Sequence, residues 1–115
     1  HVDLNALGQM ILEVWGGLMD RCLEYRKNRA DDLNILDFSY REVNESSLPL
    51  TRKIFHQAGL EYTKECEKTM SKWLTENPQG RYGKNIYSME RYGLTKAMIE
   101  NRFKDYLDSF SQFVD

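Results

Sequence analysis

Apolar residues recur at intervals of three and four along the first part of this chain, a spacing typical of one face of an α-helix. The pattern runs from Val2 to about Lys27. Its apolar positions are Leu4, Leu7, Ile11, Val14, Trp15, Leu18, Cys22 and Tyr25. We therefore predict a long amphipathic helix with its apolar stripe in a core. Gly16-Gly17 lies inside it and costs about 2 kcal/mol relative to two alanines. We expect either a bend there or, preferably, close packing of another backbone.

A second pattern, over residues 35–40, alternates apolar and polar side chains. One face would carry Leu36, Phe38 and Tyr40, and the other Asp37 and Ser39. This alternation of β-forming residues predicts a strand, the only one that the sequence indicates. A single strand leaves its backbone donors and acceptors unpaired. We therefore expect its partners to come from elsewhere, most simply from a preceding amino-terminal region, since the chain begins at His1 without an initiator methionine.

Two amphipathic helices are predicted next. The first has Ser47 as its N-cap, runs to about Ala58 and is stopped by Gly59. The second runs from Tyr62 to Glu76 and ends at Asn77-Pro78, because proline does not continue a helix.

The last part of the chain is predicted to form a short turn and a final helix. Ser88 caps the turn, Gly93 ends it, and Thr95 caps the helix. The apolar stripe of that helix is Ile99, Phe103, Tyr106, Phe110 and Phe113. The fold class is therefore mostly α, with four to five helices and one strand, in a single segment spanning residues 1–115.

Composition and charge exclude several classes of protein. With 41% hydrophobic and 30% charged residues, the chain resembles a packed soluble domain and not a disordered one. Its 16 basic and 18 acidic residues give a formal net charge of −2, which favours neither nucleic acid nor an anionic membrane as a partner. The chain has no run of 18 apolar residues and no signal-peptide pattern at its start, so we expect a cytoplasmic protein.

The cysteines and histidines do not indicate a metal site. Cys22 and Cys66 each lie in an apolar helical stripe, so we expect buried thiols. His1 and His56 lack the spacing to other ligand residues that a metal site requires, and we predict no metal. His56 also lacks a carboxylate that would orient it as a general base. We predict no catalytic residue within this chain.

Residues 77–87 form the most probable functional surface on sequence grounds, because they combine three glycines or prolines with two basic residues and lack a regular period. Glycines at positions 80 and 83 would permit close backbone approach to a ligand. Arg81 and Lys84 would supply charge-assisted hydrogen bonds. The alternative is a solvated loop whose basic residues only increase solubility.

The order of several short motifs resembles the carboxy-terminal half of the bacterial and mycobacterial-type sulfotransferase family. These motifs are Phe38 to Val43, Ile54-Phe55 with Gly59-Leu60, Met70 with Trp73-Leu74 and Asn77-Pro78, and Gly83 to Glu90 with Gly93-Leu94. The resemblance extends from about residue 35 to residue 113. Two positions depart from the family pattern: Arg41 replaces a frequent acidic residue, and Ile86 replaces a frequent basic one.

The resemblance implies that the chain is a piece of an α/β, P-loop-like fold. Members of the family transfer a sulfuryl group from 3′-phosphoadenosine 5′-phosphosulfate to a hydroxyl or amine acceptor. Their phosphosulfate-binding part lies near the amino terminus, and no such glycine-rich loop after a strand is present here. The resemblance also implies that the loop closes over the donor nucleotide. The residues predicted to bind this cofactor are Arg81, Gly83, Lys84 and Tyr87.

Two functional hypotheses follow. The chain is the carboxy-terminal portion of a sulfotransferase, inactive alone, whose partners are the missing amino-terminal half of the same protein or a second copy of the chain. Alternatively, it is a non-catalytic helical module that binds a partner protein. The identity of the small-molecule acceptor is not encoded in these residues.

Overall fold

The computed structural model describes residues 1–32 and 34–114, which are mostly helical. They divide into two units, each described here by itself. The terminal unit contains residues 1–35 and 86–114, and the central unit contains residues 36–85. The described residues form six α-helices and two 3₁₀ turns. The prediction of a mostly α fold is therefore confirmed.

The first helix of the terminal unit, α1, spans Leu4–Asn28 and confirms the prediction from periodicity. The carboxylate of Asp3 caps its start by accepting hydrogen bonds from the backbone nitrogens of Asn5 and Ala6, at 3.0 and 3.1 Å. Arg26 and Lys27 lie in its last turn, where positive charge stabilises the helix dipole. The helix continues through Gly16-Gly17 without a break.

The buried face of α1 differs from the predicted apolar stripe. Its buried residues are Gly8, Leu12 and Gly16. The outer face of α1, by which we mean Ile11, Val14, Trp15, Leu18, Cys22 and Tyr25, is exposed. The predictions of a buried Cys22 and a core Trp15 are therefore wrong for this structure: the Cys22 thiol is exposed and Trp15 is 62% exposed. Cys66 is half-buried.

Two glycines let other residues approach α1 closely. A Cβ atom on Gly8 would lie 2.1 Å from the backbone carbonyl oxygen of Tyr92, and one on Gly16 would lie 2.4 Å from the guanidinium carbon of Arg102. The expected close packing at Gly16 is thus present, although the neighbour is a side chain and not a backbone. Arg102 donates hydrogen bonds to Glu13 at 3.3 Å and to Asp20 at 2.9 Å.

The remainder of the terminal unit consists of short helices. A 3₁₀ turn spans Glu90–Tyr92, α5 spans Lys96–Arg102, α6 spans Lys104–Ser109, and a second 3₁₀ turn spans Ser111–Phe113. The Thr95 hydroxyl caps α5 by accepting from the backbone nitrogen of Met98 at 3.2 Å, as predicted. The predicted continuous final helix is wrong, because the backbone at Phe103 (φ −100°, ψ 19°) departs from helical geometry and separates α5 from α6.

The predicted strand over residues 35–40 is absent, and residues 34–39 have no regular secondary structure. Tyr40, its intended last residue, begins α2, which spans Tyr40–Glu45. Ser39 and Glu42 explain the difference: each side chain bonds the other residue's backbone nitrogen, at 3.1 and 2.8 Å. This capping box starts a helix where the alternation predicted a strand. A strand also requires a paired strand, and the described residues supply none.

Two further helices complete the central unit. The helix α3 spans Ser47–Gln57 and α4 spans Lys64–Glu76, near the predicted bounds. The predicted N-cap Ser47 is wrong by one residue, since Ser46 occupies the cap and makes no side-chain capping bond. The Phe55 and Tyr62 rings pack edge to face at 5.4 Å, and Arg52 pairs with Glu67 at 2.8 Å.

None of the helices in the described residues combines the length and the apolar character needed to cross a bilayer. Large apolar side chains are nearly fully buried at only two described positions, Leu12 in the terminal unit and Leu50 in the central unit, each 7% exposed. Each unit therefore has a small core.

Candidate functional site

The loop after α4, residues 77–87, contains all four residues predicted to bind a nucleotide. Two turns shape it: the Arg81 amide donates to the Pro78 carbonyl at 3.1 Å, and the Gly83 amide donates to the Gly80 carbonyl at 3.0 Å. Gly80 and Gly83 have φ values of 81° and 97°, a region that side-chain-bearing residues rarely adopt. No atom lies within 4 Å of a Cβ built on either glycine, so both face open space.

Arg81 anchors this loop to the end of α4. Its guanidinium donates to the carbonyl oxygen of Glu76 at 2.9 Å and to the side-chain oxygen of Asn77 at 2.6 Å. It also lies 5.4 Å from the centre of the Tyr82 ring. A cation at the carboxy-terminal end of a helix satisfies unpaired carbonyls and interacts favourably with the helix dipole. Part of the guanidinium is thus engaged in holding the loop.

Lys84, in contrast, is exposed and makes no hydrogen bond or ion pair within residues 1–32 and 34–114. Its ammonium group therefore has three donors free for an anionic ligand. Of the two predicted cations, Lys84 is the one whose charge is not already engaged by the protein.

Tyr87 lies in the terminal unit, whereas Arg81, Gly83 and Lys84 lie in the central unit. The boundary between the two units therefore falls within the loop, with three of the four residues in the central unit and Tyr87 in the terminal unit. Tyr87 is 84% exposed. It borders an open cleft of about 490 Å³ whose other lining residues are Ile86, Ser88, Met89, Arg91, Tyr92 and Leu94.

A short hydrogen-bond network orders the chain immediately after Tyr87. The Ser88 hydroxyl donates to the Glu90 carboxylate at 2.9 Å and accepts from the Arg91 amide at 3.3 Å. The backbone N–H of Glu90 and then the Ser88 hydroxyl hold the pKa of the Glu90 carboxyl below its usual range. Glu90 therefore stays ionised at the start of the 3₁₀ turn. The turn ends at Gly93, as predicted. The predicted cap Ser88 is wrong by one residue, since Met89 occupies the N-cap position.

A second cleft, of about 690 Å³, lies between the end of α1 and α6, and sequence reasoning did not predict it. Its lining residues are Asp20, Leu23, Glu24, Arg26, Lys27, Asp105, Asp108, Ser109 and Phe110. Arg26 lies over the Phe110 ring at 4.8 Å. Asp20 pairs with Arg102, and Asp108 pairs with Lys104. The cleft joins residues more than eighty positions apart, so no local sequence pattern could indicate it.

Metal-based chemistry has no support from the described residues. Within them, no three histidine, cysteine, aspartate or glutamate side chains are placed to hold a metal ion. His56 lies near the end of α3, and its imidazole makes no hydrogen bond to any described residue.

Comparison with known proteins gives one informative similarity. No protein-family model and no curated protein matches the sequence. Among solved structures, the crystal structure of the sulfotransferase STF9 from Mycobacterium avium matches with a TM-score of 0.82 and 30% sequence identity. The match covers 95% of this chain and 28% of that chain. The chain is therefore sulfotransferase-like in fold, and it spans 28% of the length of the sulfotransferase it resembles.

Proposed function

We propose that this chain is the carboxy-terminal portion of a sulfotransferase that transfers a sulfuryl group from 3′-phosphoadenosine 5′-phosphosulfate to a hydroxyl or amine acceptor. The observation that carries the proposal is the similarity in fold, at 30% identity, to a mycobacterial sulfotransferase over nearly the whole of this chain. The family resemblance of its motifs supports the same function.

We assign the loop the role of a lid over the donor nucleotide. Sulfate and phosphate groups are bound by cations and by backbone amides that approach them closely. Lys84 would supply the free charge, and Gly83 would let the backbone approach a phosphate. Arg81 would hold the loop in position through Glu76 and Asn77, and would share its remaining donors with the ligand. Tyr87 would pack against the nucleotide or donate its hydroxyl.

We further propose that the chain does not transfer sulfate unaided. Sulfuryl transfer requires groups that hold the transferred group and a base that activates the acceptor. More than two thirds of the similar sulfotransferase lies outside the match, and we assign the phosphosulfate-binding part and the base to the corresponding region.

The second candidate is a helical module that binds a partner protein without catalysis. The outer face of α1 favours it, because five of its six side chains are large apolar groups more than 40% exposed. This module would bind a protein through that face and would not bind a nucleotide. Nucleotide binding therefore separates the two candidates.

The test is calorimetric titration with adenosine 3′,5′-bisphosphate of the protein expressed from its natural start and of the 115-residue chain. We expect the longer protein to bind and Lys84→Ala to weaken its affinity about 10-fold to 100-fold, the usual effect of losing a charged hydrogen bond.

Lys68→Ala is the matched control, since Lys68 is an exposed lysine on α4 of the same unit and its loss removes the same charge. Absence of binding by the longer protein would favour the interaction module. If the Lys84→Ala and Lys68→Ala variants bind adenosine 3′,5′-bisphosphate with equal affinity, Lys84 does not contact the nucleotide.

A further inference from the structure

The outer face of α1 is a continuous apolar surface that the described residues leave largely exposed. At its end, the Arg29 guanidinium lies 5.3 Å from the centre of the Tyr25 ring. Ile11, Val14, Leu18 and Tyr25 are each between 41% and 52% exposed, and Trp15 is 62% exposed. The face lies roughly 100° around the helix axis from the buried face that contains Gly8, Leu12 and Gly16. The helix thus has two apolar sides, of which one packs within the terminal unit and the other does not.

The length and width of this face are suited to contact with another helix or a sheet, and not with a small molecule. From Ile11 to Tyr25 it extends about 21 Å along the helix, at 1.5 Å per residue. None of its six side chains is charged. A long, uncharged stripe one helix wide is what a helix buries when it packs against a sheet or another helix.

We propose that the outer face of α1 is the surface on which the amino-terminal part of a sulfotransferase fold packs. This inference rests on the proposed function and identifies where the two parts of such a fold meet. The match to the mycobacterial enzyme leaves more than two thirds of that protein outside the matched region. We assign the covering part of the fold to the corresponding region. Its contact surface must be apolar and uncharged to complement the six residues.

Cys22 lies within the proposed surface and reports directly on its coverage. The experiment measures the rate at which iodoacetamide alkylates Cys22, resolved by peptide mass spectrometry, in the 115-residue chain and in the protein expressed from its natural start. We expect the rate in the longer protein to fall roughly tenfold or more, because reaction then requires the covering part to open. The matched control is a cysteine introduced by Gln9→Cys, since Gln9 is exposed on the opposite side of α1.

Protection of Cys22 without protection of the cysteine introduced at position 9 supports the proposal. Equal Cys22 rates in the two proteins overturn it, as does a natural protein with no residues before His1. Equal protection at both positions also overturns it, because the cover is then not specific to this face. If the protein expressed from its natural start forms a dimer that Leu18→Glu breaks and Gln9→Glu does not, the face belongs to a second copy and the proposal fails.

Nucleotide binding is measured separately, so the two proposals fail in distinguishable ways. If Cys22 is protected in a longer protein that does not bind adenosine 3′,5′-bisphosphate, the proposed function is contradicted and the proposed packing surface is supported. If the longer protein binds the nucleotide but Cys22 is not protected, the proposed function is supported and the proposed packing surface is contradicted.

Discussion

Gly8 is the residue of α1 that least tolerates a side chain. Its hypothetical Cβ lies 2.1 Å from the Tyr92 carbonyl oxygen, a backbone atom that cannot rotate away. Gly17, one residue beyond the middle of the same helix, has its nearest outside neighbour at 4.0 Å. The two glycines therefore occupy similar secondary structure in different packing environments.

We predict that Gly8→Ala destabilises the chain by about 1–3 kcal/mol through overpacking. Gly17→Ala should stabilise it by about 0.5–1 kcal/mol, because alanine is the better helix former and has room. Urea unfolding followed by circular dichroism measures both. Equal effects of the two substitutions would contradict the close approach of Tyr92 to α1.

Glu90 makes the stability of the terminal unit depend on pH, in a direction that follows from its pKa shift. Its folded-state pKa is lowered, chiefly by its own backbone N–H and then by Ser88. The unfolded value is about 4.3. The stabilisation is therefore fully present above that value and is lost as the pH falls through the lower, folded pKa.

Glu90→Gln should accordingly flatten the decline of the thermal midpoint below about pH 4.3, the unfolded reference value. Ser88→Ala should flatten it in part, since it removes the second of the two hydrogen bonds. Midpoints are measured by calorimetry across the acid range. A decline identical to that of the unsubstituted chain would show that the Glu90 carboxylate does not stabilise the fold.

At the scale of elements, α2 depends on its cap more than on its length. It contains six residues, too few for a helix to be stable by itself. Ser39 and Glu42 satisfy each other's backbone donors at its start, and Ser39 is 7% exposed. Ser46 is the N-cap of the next helix, α3, and its side chain makes no such bond.

We predict that Ser39→Ala lowers the free energy of unfolding by about 1 kcal/mol, the usual cost of losing an N-cap. Ser46→Ala is the control and should change it by less than about 0.5 kcal/mol. Denaturant titration of both variants measures the difference. If the two serines were equally sensitive, the capping box would not be what starts α2.

At the scale of the whole molecule, the described residues expose many large apolar side chains and bury few of them. Its two units have one nearly fully buried large apolar residue each, Leu12 and Leu50. The similarity to a sulfotransferase nearly four times the matched length gives this surface an interpretation, because the remaining part of such a fold would cover it. The proposed lid and the proposed packing surface then belong to one assembly.

The sequence by itself determined three of the helices and several helix ends. Helical periodicity located α1, α3 and α4 because a residue's neighbours one turn away are close in sequence. Thr95 was identifiable as a cap for the same reason, since capping joins residues three apart. The motifs around residues 38–94 also indicated the sulfotransferase-like fold.

Tertiary structure alone decided which apolar face of α1 is buried, because that choice depends on residues such as Tyr92 and Arg102 that are distant in sequence. It also assigned part of the Arg81 guanidinium to the end of α4 and left Lys84 free. The prediction of a strand over residues 35–40 was wrong because alternation indicates only which side chains could share a buried face. A strand forms only when another strand pairs with it. Periodicity thus specifies local geometry, and long-range contacts specify which surfaces that geometry buries.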